Sequence, residues 1–269
     1  MRDRLYRVQA IILKRSDFGE ADRLLTLYTP DHGKIRAIAK GARKPSSRKS
    51  GHVELFSHSE LLLAKGRQLD IVTQAETRNS FLNLQIDLQR LAFAYYFAEL
   101  LDQSVEEAVE NRPLFDLLLN CLARLAEESI PPALLARYFE LHLLQHIGYR
   151  PQLFFCIHCG NEITPNENYF SAEAGGVIDS DCFETQKEKI PGHGRDALPI
   201  SLNALKVLRF LQTREFETAR ALQLDAELNA ELERLMQRYI VHHLERNLKS
   251  VAFLQDLKRG QQELIGRRV

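Results

Sequence analysis

The 269 residues predict an α+β chain of several domains: a small five-stranded β-barrel first, then a helical body interrupted by a cysteine-bearing insertion. Three observations carry this. Alternating apolar runs separated by glycine-containing turns fill residues 1–79. From residue 80 onward, apolar residues recur at helical spacing. Over 151–195 that periodicity stops, Gly, Pro and Asn become frequent, and three of the four cysteines fall there. The predicted segments are 1–79, 80–150, 151–195 and 196–269, with the second and fourth forming one helical domain.

The strands come in order. Arg4 to Lys14 alternates around Val8, Ile11 and Ile12, and Ser16 to Glu20 reads as a turn. Ala21 to Tyr28 is a second strand, and Gly33 closes a hairpin into Lys34–Ala39. There Ile35 and Ala37 share one face while Lys34, Arg36 and Ile38 share the other. Ser59–Leu63 and Asp70–Glu76 complete five strands, which suits an OB-fold, a barrel whose face and loops bind single strands.

Between the third and fourth strands lies a loop, Lys40 to Lys49, with five cations and no acid. The formal net charge of zero conceals how charge is distributed: residues 1–80 hold 16 Lys and Arg against 9 Asp and Glu, whereas residues 81–150 hold 5 against 10. A basic barrel fused to an acidic body directs a polyanion to one end of the chain. The candidate DNA-binding residues are the strand cations Lys14, Arg15, Arg23, Lys34 and Arg36 and the loop cations Lys40, Arg43, Lys44, Arg48 and Lys49. Stacking has few candidates, because the barrel offers only Tyr6, Phe18, Tyr28 and Phe56 and the chain has no Trp. Binding dominated by the phosphate backbone and tolerant of sequence is expected.

The run Ile12 to Thr26 contains Lys14-Arg15-Ser16-Asp17-Phe18-Gly19-Glu20. With Gly33-Lys34, Ala39 to Lys44 and Gly66-Arg67-Gln68-Leu69, it resembles the bacterial RecO family of DNA repair proteins. The resemblance extends along essentially the whole chain. It implies an N-terminal OB-fold that binds single- and double-stranded DNA, a helical domain and a small cysteine-containing insertion. It further implies strand annealing. The implied mediator role is to help load RecA, together with RecR, onto strands coated by the single-stranded DNA-binding protein. The acidic C-terminal tail of that protein is implied to dock on the helical domain.

In the helical part, Ser80 to Val109 carries a broad apolar stripe including Tyr95 and Tyr96, Pro113 starts a second helix, and Leu134 to His146 forms a third. Cys121 reads as a small core residue. The insertion holds Cys156-x2-Cys159, followed by Asp179-x2-Cys182, where the family's pattern has cysteine in place of Asp179. Zinc held by Cys156, Cys159, Asp179 and Cys182 is expected, with a structural role, since a carboxylate oxygen can replace a thiolate. His158 and His193 are other possible fourth ligands.

Ser201 is positioned as an N-cap. A long helix is expected over 224–250 with Leu228, Leu232, Leu235, Met236, Tyr239, Ile240, His243 and Leu244 inward, and the tail from Arg259 is expected to be mobile.

No apolar run is long enough to span a bilayer and no signal peptide is evident, so a cytoplasmic, nucleoid-associated location is expected. A nuclease would need converging carboxylates, yet Asp17, Glu20, Asp22 and Glu54 are scattered in sequence, so no enzymatic activity is expected. The alternative is a zinc-ribbon adaptor between proteins whose basic charge is incidental.

Overall fold

The computed structural model describes residues 4–189 and 196–266. It divides into two compact units, one containing the barrel and the helices that follow it up to Glu128 together with the chain from Leu248, the other spanning Ser129–Asn247. This division is drawn differently from the four sequence segments, because the C-terminal helix packs with the first unit. No described helix is long and apolar enough to cross a membrane.

The first unit begins with β1 (Leu5–Phe18), β2 (Asp22–Thr29), β3 (Gly33–Ala39), β4 (His58–Ala64) and β5 (Asp70–Asn79), closed in the order β1-β2-β3-β5-β4. Only the β3–β5 contact is parallel, Ala37 opposite Asp70 and Ile38 opposite Ile71. β1 is long enough to pair with both β4 and β2, and a bulge between Ile12 and Lys14 bends it from one partner to the other. The ladder holds Ser16, Asp17 and Phe18 opposite Leu24, Arg23 and Asp22, so the predicted turn at Ser16 shrinks to the residues around Gly19. Val8, Ala10, Ile12, Leu25, Leu27, Ala37, Ala39, Leu61, Leu63 and Val72 fill the barrel.

Gly33 is required twice over. Its φ is +59°, and a Cβ would lie 2.1 Å from the Val109 carbonyl oxygen. That close approach seats the chain after the first helix against β3, with the Ala108 N–H donating to the Lys34 oxygen at 2.9 Å.

A single helix from Ser80 does not form. A 3-10 turn, Leu82–Gln85, precedes α1 (Leu88–Ser104), and the Asp87 carboxylate caps α1 by accepting from the Gln89 and Arg90 N–H groups at 2.8 and 3.1 Å. Tyr96 is buried as expected, but Tyr95 is 41% exposed. α2 (Arg112–Leu125) starts at an Asn111 cap with Pro113 in its first turn, and buries Cys121 completely. The buried Arg90 guanidinium donates to the oxygens of Leu125, Glu127 and Glu128 at 2.7–2.8 Å, satisfying the end of α2. The unit ends with α8 (Lys249–Gly266), whose first N–H groups, at Lys249 and Ser250, donate to the Glu99 carboxylate of α1.

The second unit packs α3 (Pro132–His146) with three later helices, α5 (Leu202–Thr213), α6 (Phe216–Ala219) and α7 (Ala226–Leu244). Ser201 caps α5, as its position predicts, and Leu232, Leu235, Met236 and Tyr239 are buried on α7. Before α5 lie an antiparallel sheet of β6 (Asn168–Ser171), β7 (Gly176–Asp179) and β8 (Leu198–Ile200) in the order β7-β6-β8, and the helix α4 (Ser180–Lys189).

The long helix expected over 224–250 is broken: α7 stops where Glu245 adopts a left-handed φ of 52°, and α8 follows. The stretch from Arg259, expected to be a mobile tail, is helical in α8 as far as Gly266, and residues 267–269 lie outside the described residues.

Candidate nucleic-acid interface and candidate metal centre

The basic loop is a string of hydrogen-bonded turns, anchored at both ends. Ala42 and Val53 are fully buried in the barrel core. The Gly41 N–H donates to the Asp22 carboxylate at 2.7 Å, and the Arg43 N–H donates to the Ala21 oxygen at 2.9 Å. The Lys44 and Ser47 N–H groups close successive turns onto Gly41 and Lys44. Apolar anchors and backbone bonds therefore hold a loop on which Lys40, Arg43, Lys44 and Arg48 are exposed.

The ten candidate cations divide by what they touch. Among the described residues Lys40, Lys44 and Arg48 are exposed and make no ion pair. Arg43 is exposed too, with Nε 3.3 Å from the Asp17 carboxylate and Nη1 donating to the Gly19 oxygen at 3.4 Å. Lys49 is different: its ammonium donates to the Val72 oxygen at 3.0 Å, and burial lowers its pKa. It tethers the loop to β5.

On the strands, Arg15 and Arg23 both bond Glu54, the latter at 2.9 Å. Lys14 and Lys34 converge on Asp102 of α1, where the Lys34 ammonium also donates to the backbone oxygen at 2.6 Å. Arg36 sits 2.8 Å from Glu107 in a fully wetted pair. Such an exposed pair stabilises by about 0–1 kcal/mol and opens readily to a phosphate. Arg15, Arg23 and Lys34 lie in tighter settings that hold β1, β2 and β3 to their neighbours, whereas Lys14, half exposed, reaches Asp102 from the surface.

The outer face of β1-β2-β3 forms one wall of a cleft of about 870 Å³, with α1 and α8 opposite. Lys14, Ser16, Leu24, Thr26 and Arg36 line the barrel side; Tyr95, Gln103, Lys249 and Phe253 line the other. The apolar stripe pointed to Tyr95 as core and gave no sign of this wall, since α8 comes to it from far along the chain, packing on α1 and capped by Glu99.

The metal centre is built from two pieces of backbone in the second unit. The Cys156 segment runs beside β7, with the Ile157 N–H donating to the Val177 oxygen at 3.1 Å. Gly160, at φ +75°, turns the chain so that its N–H returns to the Cys156 oxygen at 2.9 Å. Gly176 lets Gln152 approach, since a Cβ there would lie 2.3 Å from the Gln152 oxygen. β7 then delivers Asp179, and the first turn of α4 delivers Cys182.

One donor atom each from Cys156, Cys159, Asp179 and Cys182 lies within 4.8 Å of the others. A tetrahedral zinc with bonds of about 2.0–2.3 Å separates its ligands by about 3.3–3.8 Å, so small side-chain rotations close this set around one ion. Asp179 divides its oxygens: Oδ1 accepts the Cys182 N–H at 2.7 Å as the cap of α4, and Oδ2 accepts from the Cys159 thiol at 3.1 Å. His158 is not part of the grouped donors, and His193 lies outside the described residues.

Burial acts to raise Asp179, but hydrogen bonds from the Cys156 thiol, the Cys182 N–H and the Cys159 and Cys182 thiols outweigh it and hold the carboxyl down to about 2. Burial and the neighbouring thiols, with the Asp179 charge, push the Cys182 thiol well up. Without metal the Cys182 thiol keeps its proton, and a metal ion must displace it. Cys121, in contrast, is pushed up to about 12 by burial, against the opposing Arg124 charge, and is an inert core residue.

Two family models match the chain in succession. Residues 1–81 match the sequence model of the family described as recombination protein O N terminal, and residues 85–252 match recombination protein O C terminal. The chain is similar to DNA repair protein RecO of Roseiflexus sp. (strain RS-1), 47% identical over 258 residues, 96% of this chain and 88% of the relative. It is 40% identical over 255 residues to DNA repair protein RecO of Dehalococcoides mccartyi (strain ATCC BAA-2266 / KCTC 15142 / 195), covering 95% and 97% of the two chains. The same-named protein of Desulforamulus reducens is 37% identical over 254 residues, 94% of this chain and 95% of the relative.

Proposed function

The chain belongs to the recombination protein O family of DNA repair proteins, and on that premise we propose that its barrel binds the DNA backbone as the first step of a recombination mediator. The observation that carries this is the loop with three unpaired, exposed cations, Lys40, Lys44 and Arg48, on a structurally anchored base. Each phosphate they neutralise releases condensed counterions, which steepens the salt dependence of single-strand binding by about 0.7 in log–log slope. Three contacts give a slope of about −2, and adding Arg43 and Arg36, whose ion pairs are exposed, brings it to about −3.5.

In this reading the protein anneals complementary strands by holding them through their phosphates, leaving base edges free to pair. With RecR, it helps RecA displace the single-stranded DNA-binding protein, whose acidic tail docks on the helical domain. No enzymatic step is required for annealing or for handing a strand over. The reaction is an exchange of binding partners driven by differences in affinity.

In the second unit, zinc is held by Cys156, Cys159, Asp179 and Cys182. Four protein ligands leave no open position for a substrate, so the ion would supply structure by tying β7 and α4 to the Cys156 turn.

The test is a salt titration of a labelled single-stranded oligonucleotide with the whole protein and with Lys40, Lys44 and Arg48 changed to Gln. The proposal expects tight binding at low salt and a slope shallower by about 2 in the variant. Absence of binding at low salt, or an unchanged slope, contradicts it and favours the adaptor reading.

A further inference from the structure

Four aromatics in the barrel could meet a nucleobase, and the structure separates them. Tyr28 is fully buried and leans on Phe115. Phe56 is 3% exposed and meets Tyr95 edge-on at 4.9 Å. Tyr6 donates its hydroxyl to Asp70 and packs against His32 at 5.1 Å. Phe18 alone is 51% exposed, and among the described residues it has no ring partner.

Its position is specific. Phe18 ends β1, paired with Asp22, and that aspartate accepts the Gly41 N–H where the basic loop begins. The residues on either side of it, Asp17 and Gly19, both hold the Arg43 guanidinium. Strand alternation sets the Phe18 ring on the opposite face of β1 from the Asp17 carboxylate that pairs with Arg43, at the strand end next to the start of the loop with unpaired Lys40 and Lys44. In the other direction, strand alternation puts Phe18, Ser16 and Lys14 on one face, and Ser16 and Lys14 line the cleft.

We propose that Phe18 is a stacking platform for one base of a single strand whose phosphates lie on the loop and whose path continues along the outer face of β1 toward the cleft. The inference rests on the DNA-binding reading above and adds selectivity to it. A ring exposed at a strand end stacks on an unpaired base of any identity. The same ring meets only closed, mutually stacked base pairs within a duplex. The loop's cations attract both forms, and Phe18 distinguishes them.

The experiment compares Phe18→Ala and Phe18→Tyr with the unaltered protein, using a labelled single strand, the same strand in a duplex, and the same strand carrying abasic sites. Phe18→Ala should weaken single-strand binding roughly 5- to 100-fold without changing the salt slope. Its duplex affinity should stay within about twofold, Phe18→Tyr should restore single-strand binding, and the abasic strand should erase the difference between the alanine variant and the unaltered protein. Unchanged single-strand affinity in Phe18→Ala, or equal losses on single strand and duplex, overturns the stacking role while the DNA-binding reading stands. If the unaltered protein binds no single strand at all, both fail.

Discussion

The basic loop and the thiol cluster are both built on turns next to short strands, but they work by opposite rules. The loop depends on side chains that have no partner: Lys40, Lys44 and Arg48 face solvent while Ala42, Val53 and the Lys49 ammonium do the anchoring. The cluster depends on side chains that must face one another, with four donors inside 4.8 Å and Asp179 already bonded to two neighbours. Charge at the loop is therefore separable from stability, whereas chemistry at the cluster is not. The best way to test that contrast is to change one region and measure both properties.

The largest effect is expected from the cluster. Cys156→Ala removes a buried thiol of the candidate metal set from the turn that docks on β7. Stoichiometric zinc should be lost and the melting temperature should fall by about 5–10 °C. DNA affinity should hold within a few-fold. Metal analysis, calorimetry and oligonucleotide binding on the same preparation check this, and a variant that keeps its metal breaks the contrast.

Next in size is pH. The Cys182 thiol is raised and so holds its proton well above neutral pH in the metal-free protein. Zinc binding must release that proton, so apparent zinc affinity should rise with pH and fall steeply under mild acid, when competed against a chelator of known affinity. Asp179, held down to about 2, stays ionised throughout and contributes no such dependence.

Asp179→Cys should be gentler. It restores a fourth thiolate, strengthens the sulfur-to-cobalt absorption when Co²⁺ replaces zinc, and raises metal affinity. It also removes the carboxylate that caps α4, at a cost of about 1 kcal/mol in the metal-free protein. A cobalt spectrum identical to that of the unaltered protein would exclude Asp179 as a ligand. The smallest effect belongs to Arg36→Gln. Its pair with Glu107 is exposed, so stability should change by about 0–1 kcal/mol and the DNA salt slope by less than one contact's worth.

The two regions were also unequally legible in the sequence. The strands declared themselves because period-2 alternation reports local burial, and the loop declared itself by composition. The grouping of Cys156, Cys159, Asp179 and Cys182 was legible from spacing. Whatever depends on distant partners was not legible. Nothing near Arg15 or Arg23 announces Glu54, and nothing near Lys14 or Lys34 announces Asp102, yet these acids engage four of the ten candidate cations. The α7–α8 break has no glycine or proline to mark it, only a left-handed Glu245 and a cap supplied by Glu99. Asp87 and Asp179 are local capping signals that were readable in principle. The apolar stripe running through from Phe81 hid the first, and the resemblance of Asp179 to a missing ligand hid its second role as the cap of α4.

The central claim is that this loop binds DNA with the cations that make no ion pair in the fold. The direct measurement is the salt dependence of single-strand binding for the unaltered protein and for Lys40, Lys44 and Arg48 changed together to Gln. A slope shallower by about 2, with zinc content and melting temperature unchanged, is the predicted result. An unchanged slope would contradict it and would place the phosphate contacts elsewhere.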